Sequence, residues 1–233
     1  MENRIIELFK KEKKKKIQLS KDKKTGLYYR PWTTDLEIIR GVYIEYNITD
    51  FKNTDIVFDL GANIGAFCNK VSKLVKKVYA FEPDPINFKI AKLNNHLNKN
   101  VILFNSAIIG NYDKKRYLYK SYTCSEASHS LHRTSRNEKI LVSCVNYKKM
   151  INKYKPTIIK SDIEGEEYYL FNEILFNTIR IFIAEFHLSK KIFKESFDKI
   201  LNSLLNIQGF KSNKEIKLTR NPRHIVINLW RNK

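Results

Sequence analysis

The stretch Val57-Phe58-Asp59-Leu60-Gly61-Ala62-Asn63-Ile64-Gly65 decides the fold. An apolar strand ends on a carboxylate, a Gly-x-Asn-x-Gly turn follows, and a helical pattern begins at once. Seventeen residues past Gly65 a second strand, Val78-Tyr79-Ala80-Phe81, delivers another carboxylate, Glu82. Strand, glycine turn, helix, strand, acid is the βαβ layout that holds a nucleoside-containing cofactor.

The turn itself discriminates between cofactors. A dinucleotide site wants Gly-x-Gly-x-x-Gly, whose second glycine lets the backbone approach a pyrophosphate. Asn63 occupies that place with a side chain, and Asp59 sits just before the turn. A carboxylate at a strand tip repels pyrophosphate and suits a cation. S-adenosylmethionine, with its sulfonium and α-ammonium, is the expected occupant.

Working outward, 233 residues suffice for one substantial core, and 42% hydrophobic content is that of a globular protein. No apolar stretch approaches the length of a membrane span, and no charged-then-apolar segment opens the chain. Cys68, Cys124 and Cys144 are scattered, without zinc or disulfide spacing, so a reducing, cytoplasmic compartment is expected. Net charge is +20, unevenly spread. Residues 1–30 carry 11 basic and 4 acidic side chains and residues 186–233 carry 11 and 3, against 22 and 17 between them. Basic ends of this kind attract polyanions non-specifically, and a solvated lysine face explains them equally well.

Residues 3–19 read as an amphipathic helix, part of a basic N-terminal helical extension over 1–50 that precedes a cofactor-binding domain over 51–233. Thr34 or Asp35 is placed to cap a helix reaching about Tyr46, with Leu36, Ile39 and Val42 inward. The alternation then runs strand 56–60, helix 64–75, strand 78–82, helix 85–97 and strand 101–106. Short strands are expected at 117–119 and 141–145, separated by the polar stretch Ser121 to Glu138. Strand 157–161, helix 165–176, strand 181–185, helix 190–206 and two strands at 213–218 and 224–230 complete an α/β architecture. The expected fold is a central, mostly parallel seven-stranded sheet with helices on both faces and a C-terminal antiparallel hairpin.

A second constellation lies at Thr157-Ile158-Ile159-Lys160-Ser161-Asp162-Ile163-Glu164-Gly165-Glu166-Glu167. Lys160, Asp162 and Glu164 share one side of an extended segment. Ligands in open α/β sheets sit beyond the carboxyl ends of the strands, which places these three beside Asp59 and Glu82. The next strand ends in Glu185-Phe186-His187.

These motifs, with Ala80-Phe81-Glu82-Pro83, resemble the FkbM family of S-adenosylmethionine-dependent methyltransferases, a branch of the Rossmann-like class I enzymes. The resemblance covers about residues 30–188 and implies O-methyl transfer, commonly to a hydroxyl or carboxyl of a saccharide or secondary metabolite. Gly61, Asn63 and Gly65 then form the turn around the methionine part of the donor. Asp59 organises that turn and the donor ammonium, and Glu82 accepts both ribose hydroxyls. Asp84 either joins the donor site or caps the following helix. Ser106 and Ala107 flank the adenine. Asp162 is the expected base, with Lys160 and Glu164 beside it and His187 the alternative base. A metal is not expected, although Asp162, Glu164 and Glu185 offer carboxylates for one. The polar stretch, with Ser125, Ser128, His129, Ser130, His132 and Arg133, sits where an acceptor lid belongs. Two other readings stay open: an RNA methyltransferase gripping phosphates with its basic ends, and a non-catalytic polyanion binder. The RNA reading lacks the Asn/Asp-Pro-Pro-Tyr/Phe motif used on exocyclic amines.

Overall fold

The computed structural model describes residues 17–46, 50–120, 129–132, 138–171, 177–187, 191–212, 217–218 and 224–231. Most of the helix expected over 3–19 lies outside them, and residues 17–19 are not helical. A short hairpin, β1 (Ser20–Lys21) and β2 (Tyr28–Tyr29), leads into helix α1 (Asp35–Glu45). The alternation then runs β3 (Ile56–Leu60), α2 (Ala66–Val71), β4 (Lys77–Phe81), α3 (Pro85–Asn94) and β5 (Val101–Phe104). A side unit follows: β6 (Ala107–Ile109), β7 (Lys115–Tyr119), β8 (Lys139–Asn146) and α4 (Tyr147–Tyr154). Next come β9 (Ile158–Ser161), α5 (Glu167–Leu170), β10 (Ile181–His187) and α6 (Lys191–Asn202), which runs into a π-helical turn over Ser203–Ile207. Strands β11 (Lys211–Ser212), β12 (Lys217–Leu218) and β13 (His224–Trp230) end the described chain.

The main sheet has the order β11-β13-β10-β9-β3-β4-β5, the seven strands expected, with β12 pairing β13 antiparallel beside that path. The five strands from β10 to β5 are parallel, and β13 runs antiparallel to β10, β11 and β12. The parallel strands are near-continuous apolar runs because helices cover both faces. Successive residues feed opposite cores: Phe58 and Leu60 join one buried cluster with Phe81, Ile159, Phe182 and Phe186, while Val57 joins the other with Val78, Ile158 and Ile183. Leu27, Ile39, Val42 and Tyr46 belong to that second cluster.

Chain order departs from spatial order between β3 and β9: β4 and β5 lie on one side of β3, and the chain then returns to place β9 on the other. That switch point is where an open α/β sheet leaves a crevice at its carboxyl edge.

Local departures from the expected elements have identifiable causes. Helix α2 stops at Val71, where the Ser72 hydroxyl donates to the Asn69 carbonyl and the Asn100 amide takes the carbonyls of Ser72 and Val75. Thr34 makes no side-chain cap bond, and Leu36 is only half-buried. The Asp35 carboxylate is instead gripped bidentately by the Nε/Nη2 edge of buried Arg30, whose Nη2 also reaches Asn87 on α3. This ties α1 to α3. The side unit is a three-stranded sheet, β6-β8-β7, of which β6 was not anticipated. Three apolar residues, Ala107-Ile108-Ile109, give too short a run for a period to show.

Candidate active site

The five backbone amides of the turn over 61–65 all find acceptors inside the protein. Gly61 and Ala62 donate to the Phe81 carbonyl, both at 3.0 Å, and Gly65 donates to Ala62 at 2.8 Å. Asn63 N–H donates to Glu82 Oε2 at 2.8 Å, and Ile64 N–H to the Asn63 side chain at 2.7 Å. A phosphate cradle requires such amides to point outward. This turn offers a pyrophosphate nothing.

Both glycines are required, for reasons internal to the protein. Gly61 has φ +78°, and a Cβ there would stand 1.9 Å from the Asp162 carbonyl oxygen. Gly65 has φ +77°, and its Cβ would press on Asn95 and Ala91 of the neighbouring helix region at 2.5 and 3.0 Å. The close approach expected toward a cofactor is thus an approach of the turn to the tip of β9 and to α3.

Asp59 and Lys160 are register partners on adjacent parallel strands, and both are buried. Lys160 Nζ lies 3.3 Å from Asp59 Oδ1 and donates to the Gly61 carbonyl at 2.9 Å, over the Tyr46 ring. Burial works to lower the Lys160 pKa, but Asp59 and Asp162 together raise it, so the ammonium stays charged. The other Asp59 oxygen accepts from the Cys68 thiol at 3.0 Å. Lys160 and Asp59 therefore hold the turn against β9.

Glu82, at the tip of β4, accepts from Asn63 N–H with one oxygen and from Asp84 N–H, at 2.8 Å, with the other. Burial, then the nearby Asp84 charge, pushes its pKa up to about 8. Asp84 is the N-cap of α3, bonded to the amides of Ile86 and Asn87, with Lys120 Nζ at 3.2 Å from its second oxygen. Of the two roles open to it, the structure displays the cap.

Beyond β9, Asp162 lies at the cavity wall, and no hydrogen bond to its carboxylate is found among the described residues. Glu164 takes φ +54°, a left-handed conformation that costs a non-glycine residue on the order of 1 kcal/mol or more. Its carboxylate meets His187 Nε2 at 3.1 Å, and Glu167 lies 3.6 Å from His187 Nδ1. Glu167 also accepts the amides of Ile163 and Gly165, at 2.9 and 2.6 Å, closing the 162–167 loop on itself. Burial acts to lower the His187 pKa, but the two carboxylates outweigh it and hold the ring protonated well above the usual histidine range. A ring kept as a cation has no lone pair with which to take a proton. Burial raises the Glu164 pKa despite His187. Asp162, Glu167 and His187 each bring one potential ligand atom within 4.8 Å of the others. Glu185 is not among the cavity-lining residues.

A cavity of about 860 Å³, counted to its open mouth, is lined by part of these groups; Asp59, Asp84, Glu164, Glu167 and His187 are not among its lining residues. Gly61, Ala62, Asn63, Glu82 and Pro83 form its donor side; Lys160, Asp162, Ile163 and Glu166 close the other. Ala107 lines it and Ser106 does not. Several lining residues escaped the sequence reading: Ile38, Val42 and Tyr46 of the α1 region, Leu118 of β7, and Glu166. His129 and Leu131 also reach the cavity; Ser125, Ser128 and Arg133 lie outside the described residues. No described helix is long and apolar enough to cross a membrane.

No curated protein matches the chain in sequence. Among solved structures, a tRNA methyltransferase of M. jannaschii is 14% identical over 92% of this chain and 56% of its own, with a TM-score of 0.45. This chain thus spans little more than half of that protein. A precorrin-6y methyltransferase of Geobacter metallireducens is 11% identical, over 92% of this chain and 95% of its own, at 0.46. Aeropyrum pernix fibrillarin, crystallised with natively bound S-adenosyl-L-methionine, is 9% identical over 95% and 86%, at 0.45. The profile of the methyltransferase FkbM domain matches residues 59–212. That match takes in well over half of the chain and every strand tip around the cavity, and the chain belongs to the methyltransferase FkbM domain family.

Proposed function

We propose that the chain is an S-adenosylmethionine-dependent O-methyltransferase acting on a hydroxyl of a saccharide or related small metabolite. The observation that carries this reading is the pairing, in one cavity, of Glu82 on the donor side with the Asp162 carboxylate opposite it. The donor fits the residues present. Each Glu82 oxygen holds one backbone amide and keeps acceptor capacity for one hydroxyl of a ribose diol. The consumed amides of the turn disfavour a dinucleotide. Ala107 and Ile108 give the adenine an apolar wall.

When bound, the donor supplies a methyl carbon activated by its sulfonium. The chain's own task is to align the acceptor and receive its proton. Asp162 is the proton acceptor: a half-buried residue of the cavity lining, whose backbone carbonyl packs against Gly61 of the donor turn. Lys160, Asp59, Glu164, Glu167 and His187 are positioning residues in this scheme, and His187 does not act as base. The acidic cavity wall favours a neutral or cationic acceptor over a phosphate chain, despite the positive net charge.

The test is mass spectrometry of a glycan panel and of cell extract incubated with protein and donor. A product heavier by about 14 Da (CH₃ in place of H, a net gain of CH₂), absent without donor and absent with Asp162→Asn, supports the reading. A donor-dependent product on RNA alone would replace it.

A further inference from the structure

Residues 129–132 cross the cavity mouth as a strap fixed at several points. Tyr119 and Ser130 exchange both backbone hydrogen bonds, at 2.8 and 3.1 Å. The Ser130 hydroxyl donates to the Glu164 carbonyl at 2.7 Å and accepts the His132 amide at 3.1 Å. The His132 ring stacks on Tyr169, with centroids 5.2 Å apart and planes within 17°. It also lies 3.2 Å from where a Cβ on Gly165 would stand, so glycine at 165, with φ +107°, makes room for the strap.

The charge that holds this arrangement is Glu166. Its carboxylate is buried, with a side-chain exposure of 3%, and makes no cap bond to α5. Arg116 Nη1 reaches both oxygens at 3.3 and 3.2 Å, and His132 Nε2 lies 3.4 Å from one of them, close but without a hydrogen bond. A buried carboxylate needs partners, and both of these lie outside its own loop. One comes from β7 and one from the strap. At the other end of the strap His129 Nε2 comes within 3.8 Å of Asp84, whose second oxygen lies 3.2 Å from Lys120 Nζ next to β7. His129 and Leu131 line the cavity together with Asp162 and Ile163.

We propose that Glu166 is a positioning residue which, through Arg116 and His132, latches the 129–132 strap across the cavity mouth, so that His129 and Leu131 form the wall an acceptor meets. The inference rests on the proposed function only for the identity of the occupant. The latch itself is a property of the protein alone.

Residue-resolved amide exchange on the full chain tests the latch without any ligand. Glu166→Gln keeps the shape and removes the charge, and should speed exchange at Ser130, Leu131 and His132 at least tenfold. His132→Gln, at a partly exposed position, should do the same. The double variant should add little to either, because both cut one contact network. Unchanged exchange, or effects that simply add, would overturn the latch. Should Glu166→Gln fail to fold, His132→Gln decides alone, and unchanged exchange there is again fatal. Stopped-flow release of S-adenosylhomocysteine then tests closure: either single variant should release it at least fivefold faster. An unaltered off-rate would refute closure. If wild-type protein binds no S-adenosylhomocysteine, the donor assignment fails, and the exchange data still judge the latch.

Discussion

In the donor half of the cavity, the backbone amides of the 61–65 turn close onto Phe81, Glu82 and each other, all within one βαβ unit. In the acceptor half, Glu167 closes its own loop, but the contacts that fix that loop in place join distant segments: Glu164 to His187, Glu166 to Arg116, Ser130 to Glu164. The first is a site built by local chain geometry, the second by charges that meet only after the sheet has formed. Donor contacts should therefore tolerate changes across the cavity, while acceptor-side changes should alter chemistry with donor affinity preserved.

The largest expected effect tests that independence. Asp162→Asn keeps size and removes charge, and should lower turnover about 10²- to 10⁴-fold, the usual worth of a positioned general base. Calorimetry on the same variant should find donor affinity within about threefold of wild type. Loss of both together would mean the halves are not separable.

Gly61→Ala attacks a place where the halves touch. A methyl group would meet the Asp162 carbonyl in a left-handed backbone, and stability should fall by about 3 kcal/mol or more. Denaturant melts measure this, and a loss under about 1 kcal/mol would mean the turn and β9 can part easily. Glu82→Ala comes next, weakening donor binding about ten- to a hundredfold, the worth of ~1.5–3 kcal/mol for a charged hydrogen bond.

The raised pKa of Glu82 adds a smaller, pH-dependent effect with a definite sign. The diol donates to the carboxylate, so donor binding favours the ionised form and lowers the pKa from about 8. Donor affinity should rise as pH climbs toward 8 and level off above it, with a proton released on binding. The ligand-free protein behaves oppositely. A carboxyl whose folded pKa exceeds its ordinary value of 4.5 loses stabilisation as pH rises from there through 8. Affinity that falls between pH 6 and 8 would remove Glu82 from the ribose. Least affected should be a chain lacking residues 1–16, which should lose much of its polyanion binding yet keep donor affinity within about threefold.

The same contrast explains what the sequence disclosed. The strand–turn–strand unit around Gly61 and the strand tips bearing Asp59, Glu82 and Asp162 were legible because period-two burial and glycine chemistry act over a few residues. Glu166 was visible in its motif, but its partners Arg116 and His132 lie 50 and 34 positions away with nothing local to pair them. His187 looked like a base because an isolated imidazole titrates near neutrality. Only the folded contacts with Glu164 and Glu167 reverse that. Likewise the α1 region read as an extension, and its part in the cavity wall depends on the buried Arg30–Asp35 pair meeting Asn87 on α3.

Parallel calorimetric titrations with S-adenosylmethionine and NAD test the donor assignment most directly. Micromolar affinity for the methyl donor, about −8 kcal/mol, with proton release near pH 7 and no measurable heat from NAD, is the predicted result. NAD binding as tightly as the methyl donor, or donor affinity indifferent to Glu82→Ala, would contradict it.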